Sequence, residues 1–259
     1  MIHTPGETHH TAGKLRLLWI VDHESPLPGT PLNTEKGWVP GLSVTGSIMR
    51  DVGSLQNVYL WGRFSWMKGN TNYWNCCEPP AVDGATVSDW DFRLGKGFSM
   101  GQNAMLTPYF GIGTNSWTRI ITEPEFREVY SHDYAGGGLL LQYSPAPRLV
   151  LSANGLVGTA FASSMTFTPL PGGVGGIGQT YTLGNKVVYM AGGSADYAFN
   201  DHWHGNVGID YTHFAYGQSP ISPIDGSVEP NSTTSYLTLS VGLGYSFYGG
   251  GGGPALVTK

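Results

Sequence analysis

Residues 233–248 read Thr-Thr-Ser-Tyr-Leu-Thr-Leu-Ser-Val-Gly-Leu-Gly-Tyr-Ser-Phe-Tyr, and the alternation within them decides the fold. Leu237, Leu239, Val241, Leu243, Tyr245 and Phe247 share one phase of a two-residue period; Thr238, Ser240, Gly242, Gly244 and Ser246 share the other. Successive side chains of a strand point to opposite faces, so this stretch is a β-strand with one apolar face and one small, polar face. The same period runs through 203–216, 186–199, 104–114 and 86–98; in the last, Trp90, Phe92 and Leu94 oppose Asp89, Asp91, Arg93 and Gly95. Fainter versions at 15–22, 39–49, 56–67, 132–143 and 148–161 bring the expected number of strands to ten.

The connections alternate in length. Short turns fall at 51–54, 100–102, 144–147 and 200–202, and long segments rich in Gly, Pro, Ser, Thr and Asn at 23–37, 68–85, 116–130, 162–184 and 217–232. That is the layout of an up-and-down antiparallel barrel with short turns at one end and long loops at the other. The expected fold class is therefore all-β, a transmembrane up-and-down antiparallel β-barrel of ten strands. Eight strands are the alternative, if 15–22 and one other segment are misread. Residues 1–12 read as a disordered N-terminal segment, 13–248 as the barrel, and 249–259 as a Gly-rich tail.

Composition narrows what the barrel is for. Charged residues make up 12% of the 259, about half the roughly 25% of an ordinary soluble domain. A net charge of -5 gives no electrostatic footprint for nucleic acid, and 12% aromatic content excludes a disordered chain. Two adjacent cysteines, Cys76 and Cys77, exclude a disulfide framework and a cysteine metal cluster. No run of about 20 apolar residues is present, which excludes a spanning helix. The opening Met-Ile-His-Thr-Pro-Gly-Glu-Thr-His-His has no basic stretch followed by an apolar one, so it does not read as a signal peptide. The few charges gather on one face of each strand. A closed barrel has a single narrow interior, so that face points inward, and the apolar face points out, where lipid satisfies it. Trp19, Trp38, Trp66, Trp90, Trp117 and Trp203 lie on strands or near their ends, where aromatic girdles form, whereas Trp61 is in phase with Arg63 and faces the lumen.

Over residues 13–248 the chain resembles the outer-membrane β-barrel group, including porin-family and opacity-like proteins. The resemblance rests on Thr107-Pro-Tyr-Phe-Gly-Ile-Gly113, on Asp89-Trp-Asp-Phe-Arg-Leu-Gly95 and on the closing strand Tyr236–Tyr248. It implies residence in the bacterial outer membrane, contact with outer-membrane lipid and lipopolysaccharide, delivery by the barrel-insertion machinery, a monomeric state, and an extracellular or host ligand met through the loops. The group commonly ends on an aromatic residue; here Tyr248 is followed by five glycines and Pro-Ala-Leu-Val-Thr-Lys259, which resembles the start of a periplasmic linker.

Asp89, Asp91 and Arg93 share the inward face with Arg63, and Asp196 and Asp210 occupy the polar phase of their own strands. Buried charges are tolerated when paired, so Arg63, Asp89, Asp91, Arg93, Asp196 and Asp210 are expected to form a structural charge network filling the lumen. Omptin proteases also have ten strands and use an Asp pair and an Asp-His pair at the extracellular rim. Asp89 and Asp91 sit mid-strand instead, and no Asp-x-His stands opposite them. Lipid A deacylases carry His-x-Ser on the lipid-facing surface near the outer leaflet; His213 is in phase with the outward face, but position 215 is alanine. His132 at the rim, and His202 and His204 at a turn, read as solvated. Gly172–Gly178 lacks the Lys and Ser/Thr of a phosphate-binding loop. No catalytic residue, metal or cofactor is expected. The expected function is structural or surface-recognition, through the extracellular loops of a barrel whose lumen is largely plugged. The alternatives are a small passive pore, and an outer-membrane enzyme hydrolysing lipid A or peptide.

Overall fold

The computed structural model describes residues 8–25, 33–75, 80–122, 125–171 and 177–247. Ten long strands run up and down: β1 (Thr8–Ser25), β2 (Asn33–Val52), β3 (Leu55–Asn75), β4 (Ala81–Lys96), β6 (Ala104–Thr122), β7 (Glu125–Ala146), β8 (Leu149–Pro169), β10 (Val187–Ala198), β11 (Trp203–Tyr216) and β12 (Asn231–Ser246). Two short strands, β5 (Phe98–Ser99) and β9 (Gln179–Thr182), pair onto β6 and β8. The ten-strand reading holds: the strands form one closed antiparallel barrel, with the first and last paired through Leu17↔Leu239 and β8 joined to β10 through Gly155↔Ala191. Closure removes every free edge, which is what lets a sheet sit in hydrocarbon.

The strands are longer than the alternation indicated. β6 reaches Thr122 and β7 begins at Glu125, so most of the stretch read as a loop at 116–130 is paired sheet. β3 extends to Asn75, β8 to Pro169, and β1 begins at Thr8, where His10 lies across from Ser246. A tilted strand crosses the hydrocarbon in about 10 residues. Beyond that distance the outward face is wet and turns polar, the hydropathy contrast fades, and the hydrogen-bonded ladder continues regardless. β8 also changes phase: Ala162 sits at φ 51° in a bulge between Ser131↔Ser164 and Asp133↔Phe161, so Ser163 and Met165 point inward above it. Cys76, Cys77 and residues 172–176 lie outside the described residues.

Outward faces carry the apolar belt. Leu15, Val44, Phe64, Phe92, Phe110 and Leu139, on six different strands, all stand exposed, Val44 at 61%. Burying one such side chain is worth roughly 1.5–3 kcal/mol, so six amount to roughly 9–18 kcal/mol. That rivals the whole stability of a typical domain, about 5–15 kcal/mol. Only a lipid surround reconciles this face with a folded protein. An aromatic girdle closes the belt at the short-turn end, where Trp203, Tyr245 and Phe247 pack edge-on at 5.2 and 5.3 Å; Trp19 and Trp38 pair at 5.0 Å nearer the long-loop end. Trp117 is not part of a girdle. It is 2% exposed inside the lumen, in phase with Asn115 and Arg119.

Inside, the side chains stack in layers rather than forming the uniformly polar lumen expected. Toward the short turns lies a charged layer, and above it an apolar one of Leu18, Ile20, Val39, Met67, Val87, Trp117, Val188 and Phe214. A second polar layer closes the long-loop end. The apolar layer escaped the alternation because Leu17–Val21 is apolar on both faces, so the inward Leu18 and Ile20 looked like their outward neighbours.

Candidate functional site

The charged layer contains the six residues singled out from sequence, five of them in three ion pairs and the sixth, Asp210, at a void. Arg63 reaches Asp89 at 3.0 Å, from the strand beside it, and Arg16 of β1 approaches the same carboxylate at 3.9 Å while hydrogen-bonding Ser65. Arg93 grips Asp91 through Nε and Nη2 at 3.2 and 2.6 Å, with its guanidinium 4.3 Å from the Trp61 ring and 5.0 Å from Tyr109. Asp196 stands apart near the short turns and pairs with His204 Nδ1 at 2.7 Å. Asp210 lines a void with Lys14, Arg16, Arg63, Thr45 and Ser240. This void and its neighbour beside His10 and His204 each measure about 20 Å³, room for about one water, which needs about 10–15 Å³. Lys14, Arg16 and His204 belong to this layer and were missed. All three keep the inward phase of their strands, which is the signal that would have found them.

His204 and His132 are not solvated. His204 is 4% exposed, with its ring against Gly244, where a Cβ would lie 2.2 Å from the imidazole. His132 is buried, with Nδ1 2.7 Å from Tyr216 Oη. Each stands an even number of residues from other inward side chains, so both turn into the barrel.

The polar layer at the long-loop end is built on one guanidinium. Arg119, at the upper end of β6, meets Glu35 Oε2 at 2.5 Å, Glu24 Oε1 at 2.8 Å and Glu128 Oε2 at 3.1 Å. Asn33 donates to Glu24 at 2.7 Å, and Thr71 hydrogen-bonds Glu35. Tyr130 Oη lies 2.9 Å from Glu24 Oε1 and 2.6 Å from Glu229 Oε1. Glu229 comes from the segment between β11 and β12, which folds over the mouth, its backbone N–H donating to Ser219 Oγ at 2.9 Å. Burial, with Glu24 and Glu128 alongside, pushes the Glu229 carboxyl up to about 8. The cluster lies above the apolar belt. Its members fell in stretches read as loops, although Arg119 keeps the phase of Trp117, and Glu128 that of Tyr130 and His132.

The segment over the mouth is cross-linked to β9. Gln179 Nε2 donates to Asp225 Oδ2 at 2.8 Å, Ser222 Oγ donates to Gln179 Oε1 at 2.7 Å, and the Tyr181 and Ser227 hydroxyls meet at 2.6 Å. The hydroxyl and amide of Ser227 hold the Asp225 carboxyl down to about 2. Ile177, Ile221 and Ile224 stand exposed around this network, Ile221 at 71%.

On the lipid-facing surface His213 Nδ1 lies 2.9 Å from Ser235 Oγ, its direct cross-strand partner, which Tyr211 Oη also approaches at 3.2 Å. The serine missing at position 215 is thus supplied by β12. A pattern confined to one strand has no means of finding it.

No protein-family model matches the chain, and no curated protein sequence does. Among solved structures it is similar to the outer membrane protease OmpT from Escherichia coli, with 13% identity and a TM-score of 0.62 over 93% of this chain and 97% of that one. Pseudomonas aeruginosa OprG aligns at 13% identity over 95% and 98% of the two chains, with a TM-score of 0.42. Neisserial surface protein A aligns at 11% over 92% and 97%, with a TM-score of 0.34. The OmpT likeness is one of fold: Asp89 and Asp91 lie in the charged layer of the lumen, below the apolar layer and away from the rim. With its closed sheet, outward apolar belt and paired interior charges, the chain has the fold of an outer-membrane β-barrel, with an outer surface suited to lipid.

Proposed function

We propose that the chain is a plugged barrel whose long-loop end presents a surface for recognising an extracellular ligand, with no part in solute passage. The observation that carries this reading is the cross-linked platform of 177–182 and 218–229, which holds Ile177, Ile221 and Ile224 out into solvent. Exposed apolar side chains on a hydrogen-bonded frame are features of a binding surface, since ordering them in advance lowers the entropy lost on docking. Interior voids of about 20 Å³ support the plug. Planar-bilayer recording tests it: the native barrel is expected to be silent, and a steady single-channel current would refute the plugged reading. Bacteria displaying the Ile221→Asp, Ile224→Asp barrel are expected to lose adhesion to epithelial monolayers. Adhesion equal to that of native cells would remove the platform from the proposal.

A second reading rests on the His213–Ser235 pair at 2.9 Å. There the Ser235 oxygen would attack the carbonyl carbon of an acyl ester of an outer-leaflet lipid, His213 taking the serine proton and passing it to the departing lipid hydroxyl as the ester C–O bond breaks; water would then hydrolyse the acyl-serine to a free fatty acid and restore the hydroxyl. Mass spectrometry of lipid A from membranes carrying the native or the His213→Ala chain decides this. Identical lipid A sinks the hydrolase reading.

A further inference from the structure

Tyr130 Oη has two carboxyl neighbours, Glu24 Oε1 at 2.9 Å and Glu229 Oε1 at 2.6 Å. A phenol has one proton to give, and two ionised carboxylates can only accept. With both ionised, one contact would set oxygen against oxygen in a buried mouth. The conflict vanishes when one carboxyl carries a proton, donates it to Tyr130 Oη, and leaves the phenol free to donate to the other. Glu24 is the ionised partner, because Arg119 donates to it at 2.8 Å and Asn33 at 2.7 Å. Glu229 is then the acid.

We infer that residues 217–230 form a proton-dependent latch, in which protonated Glu229 donates to Tyr130 and holds the segment across the mouth until loss of that proton to water releases it. The surroundings favour such a switch. Glu229 faces Glu24 of β1, Arg119 of β6, and Glu128 and Tyr130 of β7; Asp22 of β1 and Glu35 of β2 lie beside Glu24, and Asp83 of β4 beside Glu128. Arg119 is already shared by Glu24, Glu35 and Glu128, so a negative Glu229 adds repulsion to a group whose carboxylates outnumber its cation among the described residues. Gly217 is hinged to Gly184 by two backbone hydrogen bonds, at 3.0 and 2.9 Å, while Ser219 N–H to Glu229 O at 3.0 Å and Ser222 N–H to Ser227 O at 2.8 Å are internal to the segment, so release swings it about that hinge and breaks its side-chain bonds to Gln179 and Tyr181. The latch stands whether or not the loops recognise a ligand.

The sign follows from the raised carboxyl. The closed form binds the proton up to about pH 8, whereas a released Glu229 returns to its ordinary value of 4.5. Closure is therefore strongest below about pH 4.5 and weakens as pH rises toward 8, with no further change above it. The open-to-closed ratio should rise by up to about tenfold per pH unit across that window.

The test is electron paramagnetic resonance of a spin label at Ile221→Cys, in a chain carrying Cys76→Ser and Cys77→Ser, reconstituted in phospholipid nanodiscs. The mobile fraction is expected to grow from pH 5 to 8 and then level. Glu229→Gln, whose amide N–H replaces the acid O–H, should keep the label immobile and abolish the pH response, while Glu128→Gln should leave the response in place. Glu229→Ala should be mobile at every pH, with unchanged heat-modifiable gel migration showing that the barrel is intact. A native label that stays immobile through pH 9, or a Glu229→Gln profile matching the native one, overturns the latch.

Discussion

Replacing Arg119 by methionine removes the one cation among the described residues that Glu24, Glu35 and Glu128 share, at 2.8, 2.5 and 3.1 Å, in a mouth where Arg119 and Glu35 are each 1% exposed. Two routes give the magnitude. Removing one partner of a buried ion pair typically destabilises by about 3–5 kcal/mol. Alternatively the variant neutralises one carboxyl by protonation, and at pH 7 a glutamate of ordinary pKa near 4.3 takes up a proton at a cost of about 3.7 kcal/mol. The routes agree, and the second adds a signature. Because the remedy is a proton, the deficit should shrink to about 1 kcal/mol at pH 5. Guanidinium-induced unfolding in lipid vesicles, followed by tryptophan fluorescence at pH 7 and pH 5, measures both values. Adding Glu35→Gln to Arg119→Met should recover part of the loss, since it removes one of the stranded charges. A variant within about 1 kcal/mol of native at pH 7 would refute the reasoning, as would a deficit unchanged by pH.

Two further substitutions probe the barrel wall from its two sides. Gly244→Ala places a Cβ 2.2 Å from the His204 imidazole and should push the ring off Asp196, lowering unfolding stability by about 1–3 kcal/mol; a neutral result would mean that the ring has room to move. Val241, 52% exposed on the lipid face, should lose about 2–4 kcal/mol when changed to arginine. Thr238→Ser, on the inward face of the same strand, should change stability by less than 1 kcal/mol. For all of these chains the unboiled form should migrate faster on gels than the boiled one; a wild-type protein soluble without detergent and indifferent to boiling would contradict the membrane assignment.

Much of the architecture was legible because a strand's period is two. Val241 and Gly242 differ in face whatever the rest of the chain does, so inside and outside followed from phase alone, and with them the belt, the ten strands and the inward Arg63, Asp89, Asp91 and Arg93. Adjacent-strand pairs such as Arg63 with Asp89 also lay within reach of that reasoning, since hairpin register brings neighbours together.

Contacts across the lumen did not. Which inward residues share a layer depends on the stagger that accumulates as ten tilted strands close, a property of the whole sheet. Arg119 meets Glu24 from 95 positions away and Tyr130 meets Glu229 from 99, separations that carry no local signal. The mouth cluster was doubly hidden, because its strands continue past the membrane, where water on the outer face erases the hydropathy contrast. His213 shows the same division on the outer surface: its phase placed it toward lipid, but only strand pairing supplied Ser235. The sequence by itself determined a membrane barrel and the facing of its side chains, since those depend on local alternation. Only the tertiary structure decided that one guanidinium gathers three glutamates beneath a folded-over segment, because that arrangement exists only once the sheet has closed.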